Sequence, residues 1–507
     1  LKPVLLALAI TAAVFAAGFC RIADLDFWWH LQTGKQIAAS GDIPRQDIYS
    51  YTARGREYID HEWLFQLSQY GLWSAFGAAG VAAAKCIVFS AVFALAALYG
   101  VRLGAHPLAV FGMTLLAIAG GVTRLIERPE MFTLLFAVLT FILLDRGDRR
   151  ALVALPLICA LWANIHAAVI VGLVIQALYV LITRRWVPLL TLAASAAAAL
   201  LNPFGYRVLT VPFELTRIIS SGVVNNEEWR HPTFLKTPFF FVALAATLVA
   251  LIRPARPFHI VVAAFLAFIS LRYIRNVGLF CAFVPMLTAP ALERLRGRWI
   301  GAVAAAGAAS LAFILFAYYP FQRGVGEASY FPDGLARYTI RNDLRGNMLN
   351  SYGFGGYLIW TLWPGRPVFI DGRNEVYLPL MQRIVAARRD SRAWNALLAD
   401  YRIEYALLEY VAEFERVTIV GGGTKLAAVS STRFPRSRWA LVEWDDDGMI
   451  FVKRNGVNPI RGEYTAVQPE AWEIGPRATA ISELERKLAE DPGCLRARRL
   501  LAMAQNR

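Results

Sequence analysis

Long apolar runs, each closed by a charged or polar loop, recur along the chain as far as residue 318 and then stop. They cover residues 3–20, 81–101, 107–122, 129–144, 152–163, 167–183, 187–201, 238–252, 258–271, 277–292 and 300–318. A helix needs ~20 apolar residues to cross a bilayer, so the pattern predicts about eleven transmembrane helices, several of them short. Beyond residue 320 the period changes. Strands are expected over 347–350, 367–371, 405–409, 439–443 and 449–453, with an apolar helix or strand over 352–363 and an amphipathic helix over 378–400. That alternation predicts a small α/β domain.

The expected fold is therefore a polytopic α-helical membrane protein with a C-terminal extracytoplasmic α/β domain and a short terminal helical hairpin. The domain boundaries follow the pattern: a membrane domain over 1–320 with outer loops 21–78 and 202–237, the α/β domain over 321–456, an extended linker over 457–477, and the hairpin over 478–507. The hairpin turns at Pro492-Gly493 and resembles one tetratricopeptide unit. A single unit cannot bury its own face, so it is expected to dock on a neighbour or to be a remnant.

At 57% hydrophobic over 507 residues, the composition excludes an ordinary soluble globular protein. The net charge of +15 raises the question of nucleic acid, but its distribution answers differently. Arginines fill alternate loops, at Arg102, Arg146/Arg149/Arg150, Arg184/Arg185, Arg253/Arg256 and Arg294/Arg296/Arg298. The positive-inside rule makes these loops cytoplasmic, with the N-terminus inside and the loop after residue 20 outside. Membrane lipids are the expected partners of this charge, and no nucleic acid is expected. The first apolar run reads as an uncleaved span. Four cysteines (Cys20, Cys86, Cys159, Cys281) lie in or at spans and Cys494 in the tail, so no disulfide framework is implied.

Candidate chemistry begins at Asp24-Leu25-Asp26-Phe27-Trp28-Trp29-His30-Leu31, where ionisable residues follow directly on a span. Two Asp spaced by one residue suit a hard divalent cation, and His30 or His61 would shift the preference toward manganese or zinc. Alternatively Asp24 caps a helix, with Asp26 in its first turn. Asp60-His61-Glu62 offers the same choice, since Asp60 can also cap a helix.

A resemblance rests on these residues. The run Asp24-x-Asp26-x-x-Trp29-His30-Leu31, followed by Gly41-x-Ile43-Pro44-x-x-Asp47-x-Tyr49 and Thr52-x-x-Gly55, resembles the first outer loop of oligosaccharyltransferase catalytic subunits. Those subunits belong to the GT-C superfamily of membrane glycosyltransferases. Leu349-Asn350-Ser351-Tyr352-Gly353-Phe354 is similar to the element that opens their soluble domain, but it lacks the carboxylate of the family's Trp-Trp-Asp, which reads the glycosylation sequon. The resemblance implies a GT-C-like fold and a glycosyltransferase moving a sugar from a polyprenyl-phosphate or polyprenyl-diphosphate donor to an extracytoplasmic acceptor. The setting would be the cytoplasmic (inner) membrane of a bacterium. The alternative is a non-catalytic scaffold of the same fold that assembles cell-envelope glycan machinery.

The resemblance also orders the candidate residues. Asp24 and Asp26 are the expected catalytic pair and, with Glu127, the expected ligands of a divalent metal (magnesium or manganese before zinc). In Thr123-Arg124-Leu125-Ile126-Glu127-Arg128-Pro129-Glu130, arginines stand among the acids where the family carries an acidic pair. Arg128, Arg272 and Arg275 are expected to grip the lipid phosphate, which a guanidinium can hold bidentately. Arg272 and Arg275 lie at an outer helix end, against the positive-inside trend. His30, His61, Glu62 and Glu228, from a loop reading Asn225-Asn226-Glu227-Glu228, complete the expected substrate-binding set.

Overall fold

A computed structural model describes residues 2–147, 149–223, 227–252, 256–317, 324–388, 390–411, 413–418 and 424–506. Of the residues singled out above, Asn225, Asn226 and Arg253 lie outside the described residues. The chain divides into two compact units. Unit one comprises Leu1–Phe27, Thr33–Ile43 and Ile59–Ala328, and unit two comprises Trp28–Gln32, Pro44–Tyr58 and Ser329–Arg507. Two pieces of the first long polar loop thus belong to the same unit as the C-terminal region, which a single cut at residue 320 does not capture.

Unit one is built of helices, and each apolar run falls on one. They are Pro3–Gly18, Trp63–Arg102, Pro107–Gly121, Glu130–Arg146, Arg149–Ile165, Val169–Thr183, Trp186–Ala198, Pro238–Leu251, Pro257–Arg272, Val277–Leu287 and Arg298–Ala317. Among the described residues, four stretches are long and apolar enough to cross a membrane: Trp63–Arg102, Pro107–Arg124, Ile274–Leu292 and Arg298–Ala317. Shorter ones such as the 14-residue Pro238–Leu251 reach only about 21 Å at 1.5 Å per residue. Large apolar side chains face outward, among them Leu8, Phe268 and Phe316. Helices apolar on their outer face are stable in lipid and not in water, and the chain is a membrane protein.

Three glycines explain local shape. Gly77 takes φ 61° inside Trp63–Arg102 and breaks that helix into two directions. Gly112 and Gly307 let the helices Pro107–Gly121 and Arg298–Ala317 touch backbone to backbone: a Cβ on Gly307 would stand 1.9 Å from the Gly112 carbonyl oxygen. Small residues at a crossing are how helices pack without a hydrophobic driving force between them.

Unit two holds a four-stranded sheet made by β1 (Asn347–Asn350), β2 (Ile403–Glu409), β5 (Trp439–Trp444) and β6 (Gly448–Lys453), in the order β1-β2-β6-β5. β1 and β2 are parallel and the other pairs antiparallel. The parallel pair requires a crossover, supplied by the helices Gly355–Leu362, Asn374–Ala387 and Ser391–Asp400. Two hairpins were not expected, β3 (Phe414–Thr418) with β4 (Thr424–Ala428) and β7 (Val467–Gln468) with β8 (Glu473–Ile474).

Two expected elements are corrected. The strand over 367–371 is buried but bonds its neighbour only at a single bridge, Ser50 to Val368, so it is extended chain rather than a sheet member. The helix over 378–400 is two helices, because Asp390 accepts a bond from the Arg392 amide (2.8 Å) and starts a new one.

The segment over 457–477 is not a free linker, since it carries β7 and β8 and buries Tyr464. The tail helices Arg477–Glu490 and Leu495–Gln505 dock on their own unit. Lys487 pairs with buried Glu443 (2.5 Å), and Glu483 accepts from the Thr465 amide (2.6 Å). Asp446, in the β5–β6 turn, accepts from the Leu495 and Arg496 amides (2.8 and 2.7 Å) and caps the last helix.

Candidate functional site

Four loops of unit one bring their charges together. The first leaves the helix Pro3–Gly18 and is anchored where the Ile22 amide bonds the Gly326 carbonyl (2.9 Å). Asp24 then turns the chain, its side chain accepting from the Asp26 amide (3.3 Å). The helix Phe27–Ser40 follows with Asp26 at its N-cap position, yet the Asp26 side chain makes no capping bond. It points instead at Arg128.

Arg128 lies in the loop before the helix Glu130–Arg146, and all three of its guanidinium nitrogens meet carboxylates. Nε donates to Asp24 Oδ2 (2.8 Å) and Nη2 to Asp24 Oδ1 (2.6 Å). Nη2 also meets Asp26 Oδ2 (2.8 Å), and Nη1 donates to Glu228 Oε2 (3.0 Å). Glu228, in the turn Glu227–Trp229, shares its other oxygen with Arg124 (2.8 Å). Arg124 reaches Glu130 (3.3 Å), and Arg275, in the turn Ile274–Asn276, also donates to Glu130 (2.7 Å) while its guanidinium lies 4.5 Å over the Trp229 ring. The result is an alternating series: Asp24 and Asp26, Arg128, Glu228, Arg124, Glu130, Arg275.

Burial makes these pairs strong. The Asp24 side chain is 3% exposed, whereas that of Asp26 is 26% exposed. Burial disfavours the Arg128 cation, but Asp24, Glu228 and Asp26 overcome it and hold its pKa well above the usual range. Burial likewise pushes Glu228 up, and Arg128 and Arg124 more than reverse this, to about 2.

A second cluster lies at the ends of neighbouring helices. Thr133 Oγ1 accepts from Trp162 Nε1 (3.0 Å) and contacts His166 Nδ1 (2.7 Å). A hydroxyl can donate its one proton to Nδ1 or accept from it, so the bond holds in either neutral tautomer of His166, whose second ring nitrogen is Nε2. That nitrogen faces Glu62 (3.8 Å), and His61 Nε2 faces the same oxygen (3.5 Å). Burial lowers His166 to about 4 and raises Asp60, which is fully buried and bonded by Gln66 Nε2 (2.7 Å), to about 7.

These shifts predict an acid limit. A group whose pKa is depressed on folding stabilises the fold above its unfolded value and loses that contribution as pH falls through the folded one. For His166 the window runs from 6.5 down to about 4, and for Glu228 from 4.5 down to about 2. Asp60, raised from 3.8 to about 7, gains stability as pH falls over that range and offsets the loss at His166, so thermal unfolding in detergent across a pH series is expected to show the midpoint falling chiefly through the lower window. Glu228→Gln is expected to flatten that fall.

The expected site residues divide accordingly. Asp24, Asp26, Arg128, Glu228 and Arg275 share one network, and His61 and Glu62 belong to the second cluster. Arg272 is exposed, with its guanidinium 5.5 Å from the Tyr273 ring. His30 belongs to unit two, where it is buried and stacked on Trp29 at 3.7 Å. Glu127 does not join Asp24: it pairs with Lys85 (2.5 Å) inside the helix Trp63–Arg102. Each of the three expected metal ligands therefore already faces a cation of the chain. Among the described residues no group of three or more His, Cys, Asp or Glu side chains is placed to hold a metal ion.

Arg124, Glu130 and Lys85 were not singled out from the sequence as site residues. A lone lysine within the apolar run 81–101 was the available signal for Lys85, because an ionisable residue inside a span needs a partner.

No family model matches the chain, and no curated protein sequence matches it. Among solved structures it is similar to the crystal structure of the Archaeoglobus fulgidus oligosaccharyltransferase in its apo form. The TM-score is 0.58 at 12% sequence identity, covering 84% of this chain and 74% of that one. At that identity the likeness is one of fold, and the chain has an oligosaccharyltransferase-like fold.

Proposed function

We propose that the chain is a GT-C-type membrane glycosyltransferase that takes a sugar from a polyprenyl-phosphate or polyprenyl-diphosphate donor and places it on an extracytoplasmic acceptor. The observation that carries this reading is the alternating network of carboxylates and arginines, in a fold like that of an oligosaccharyltransferase. The proposed setting is a bacterial inner membrane, with the N-terminus inside as the positive-inside rule gives from the loop arginines.

The reaction is a single displacement. An acceptor oxygen or nitrogen attacks the anomeric carbon, the bond from that carbon to the lipid phosphate oxygen breaks, and the acceptor's proton passes to a carboxylate. Asp26 is the more open of the pair and serves as that base. Asp24, enclosed by Arg128, holds the loop in place. The leaving phosphate gains charge in the transition state, where a fixed cation is most effective. Arg275 and Arg272 supply it, because Arg128 is already enclosed by three carboxylates.

Purified protein in liposomes containing bacterial polyprenyl-linked sugars tests the reading. Arg275→Ala with Arg272→Ala is expected to lower kcat/KM for the lipid-linked donor at least tenfold. In cells lacking the gene, a lipid-linked sugar is expected to accumulate while an envelope glycan is lost. Unchanged lipid-linked sugars and unchanged glycans together would sink the proposal.

A further inference from the structure

We infer that Arg128 is a built-in cation that takes the place of a divalent metal, so that the Asp24–Asp26–Glu228 site is complete without one. The inference concerns the charge balance of the site and holds whatever the substrate. Arg128 makes a two-pronged contact to Asp24 (2.8 and 2.6 Å), a third contact to Asp26 (2.8 Å) and a fourth to Glu228 (3.0 Å). Three carboxylates around one centre are the arrangement expected of a hard divalent ion. Here the centre is a planar guanidinium, whose fork matches carboxylate geometry and which cannot lose its proton.

Ion and guanidinium exclude one another. A metal ligated by Asp24 would have to take the oxygens that Nε and Nη2 already hold. It would also sit within a few ångströms of a fixed positive charge at a largely buried position. Glu228 cannot turn away to help, because Arg124 engages its second oxygen (2.8 Å). Glu127, the remaining carboxylate of the loop, is held by Lys85 (2.5 Å). The cation of this site is thus tethered to the chain, and its occupancy does not depend on metal concentration.

The test reads stability and metal binding rather than transfer, so it is decided even if no sugar is moved. In detergent, the unfolding midpoint of the wild-type protein is expected to be the same in EDTA and in millimolar Mn²⁺. Arg128→Ala is expected to unfold at a lower temperature and to regain part of the loss with Mn²⁺, saturably and reversibly on chelation, since three carboxylates then lack their cation. Arg128→Lys keeps the charge and is expected to stay indifferent to Mn²⁺. If Arg128→Ala does not fold, the free-ion Mn²⁺ paramagnetic resonance signal measured with wild-type protein decides: unchanged intensity supports the inference. Loss of about one equivalent of Mn²⁺ signal per wild-type chain, or a chelator-reversible rise in its midpoint, overturns it.

Discussion

Arg373→Ala is expected to destabilise unit two by about 3–5 kcal/mol, the cost of removing one partner from a buried ion pair. Arg373 lies between two carboxylates, donating from Nη2 to Asp47 Oδ1 (2.6 Å) and to Asp371 Oδ2 (2.6 Å). A second bond runs from Nε to Asp371 Oδ1 (2.8 Å), and the Tyr377 hydroxyl donates to Asp371 (2.5 Å). All three charged side chains are at most 1% exposed, and Tyr49 and Tyr58 place their rings 5.0 and 5.3 Å from the guanidinium. Alanine would leave two carboxylates facing each other without water or a counter-charge. The same clasp ties residues 44–58 to the loop after 367–371, so faster proteolysis within 44–58 should accompany the lower unfolding midpoint of the full chain in detergent. Arg373→Met combined with Asp47→Asn and Asp371→Asn should recover much of the loss, because apolar replacement of a whole buried group is tolerated better than orphaning part of it. A cost for Arg373→Ala below about 1 kcal/mol would instead place the group in a solvated setting.

Asp26→Asn is expected to lower sugar transfer by about 10²–10⁴-fold, the usual contribution of a positioned general base. Asparagine keeps the shape of the side chain and removes its ability to take a proton, so the unfolding midpoint should change little while kcat falls and the donor KM stays near its wild-type value. Asp24→Asn should behave differently. It withdraws the charge that Arg128 grips with two nitrogens and should lower stability together with activity. Full transfer by both Asp24→Ala and Asp26→Ala in membranes would remove the catalytic reading of the pair.

The tail bears on the scaffold alternative. Lys487, Glu483 and the last helix are engaged with Glu443, Thr465 and Asp446 of the same unit, so the hairpin buries its face without a partner protein. The expectation of docking on a neighbour was sound in its physics, because one helical pair cannot cover its own apolar side. The neighbour is the α/β unit itself.

Legibility differed by the kind of interaction. Apolar runs translate into helices because hydrophobicity and local hydrogen bonding are decided within a few turns. Asp24, Asp26, Arg128, Glu228 and Arg275 could be nominated singly, since charge beside an apolar span is costly wherever it lands. Their mutual roles could not. Asp24 and Arg128 stand 104 positions apart, and Asp47 and Arg373 stand 326 apart. Spacing along the chain therefore carried no sign that each carboxylate would meet an arginine, and the short Asp-x-Asp spacing suggested a metal instead. The loop Asp371-Gly372-Arg373 likewise carries no local sign of its partner at Asp47. In the folded chain it is a structural clasp.

What this chain's sequence determined alone is a helical membrane part, a mixed α/β part, and a set of charges placed where water gives way to lipid. Those are consequences of local hydrophobicity and backbone hydrogen bonding. Which charge answers which, with the Arg128 guanidinium against both Asp24 and Asp26, was decided only by tertiary structure. Pairing depends on distances of about 3 Å between loops remote in sequence, and desolvation in the fold determines how much each pair matters.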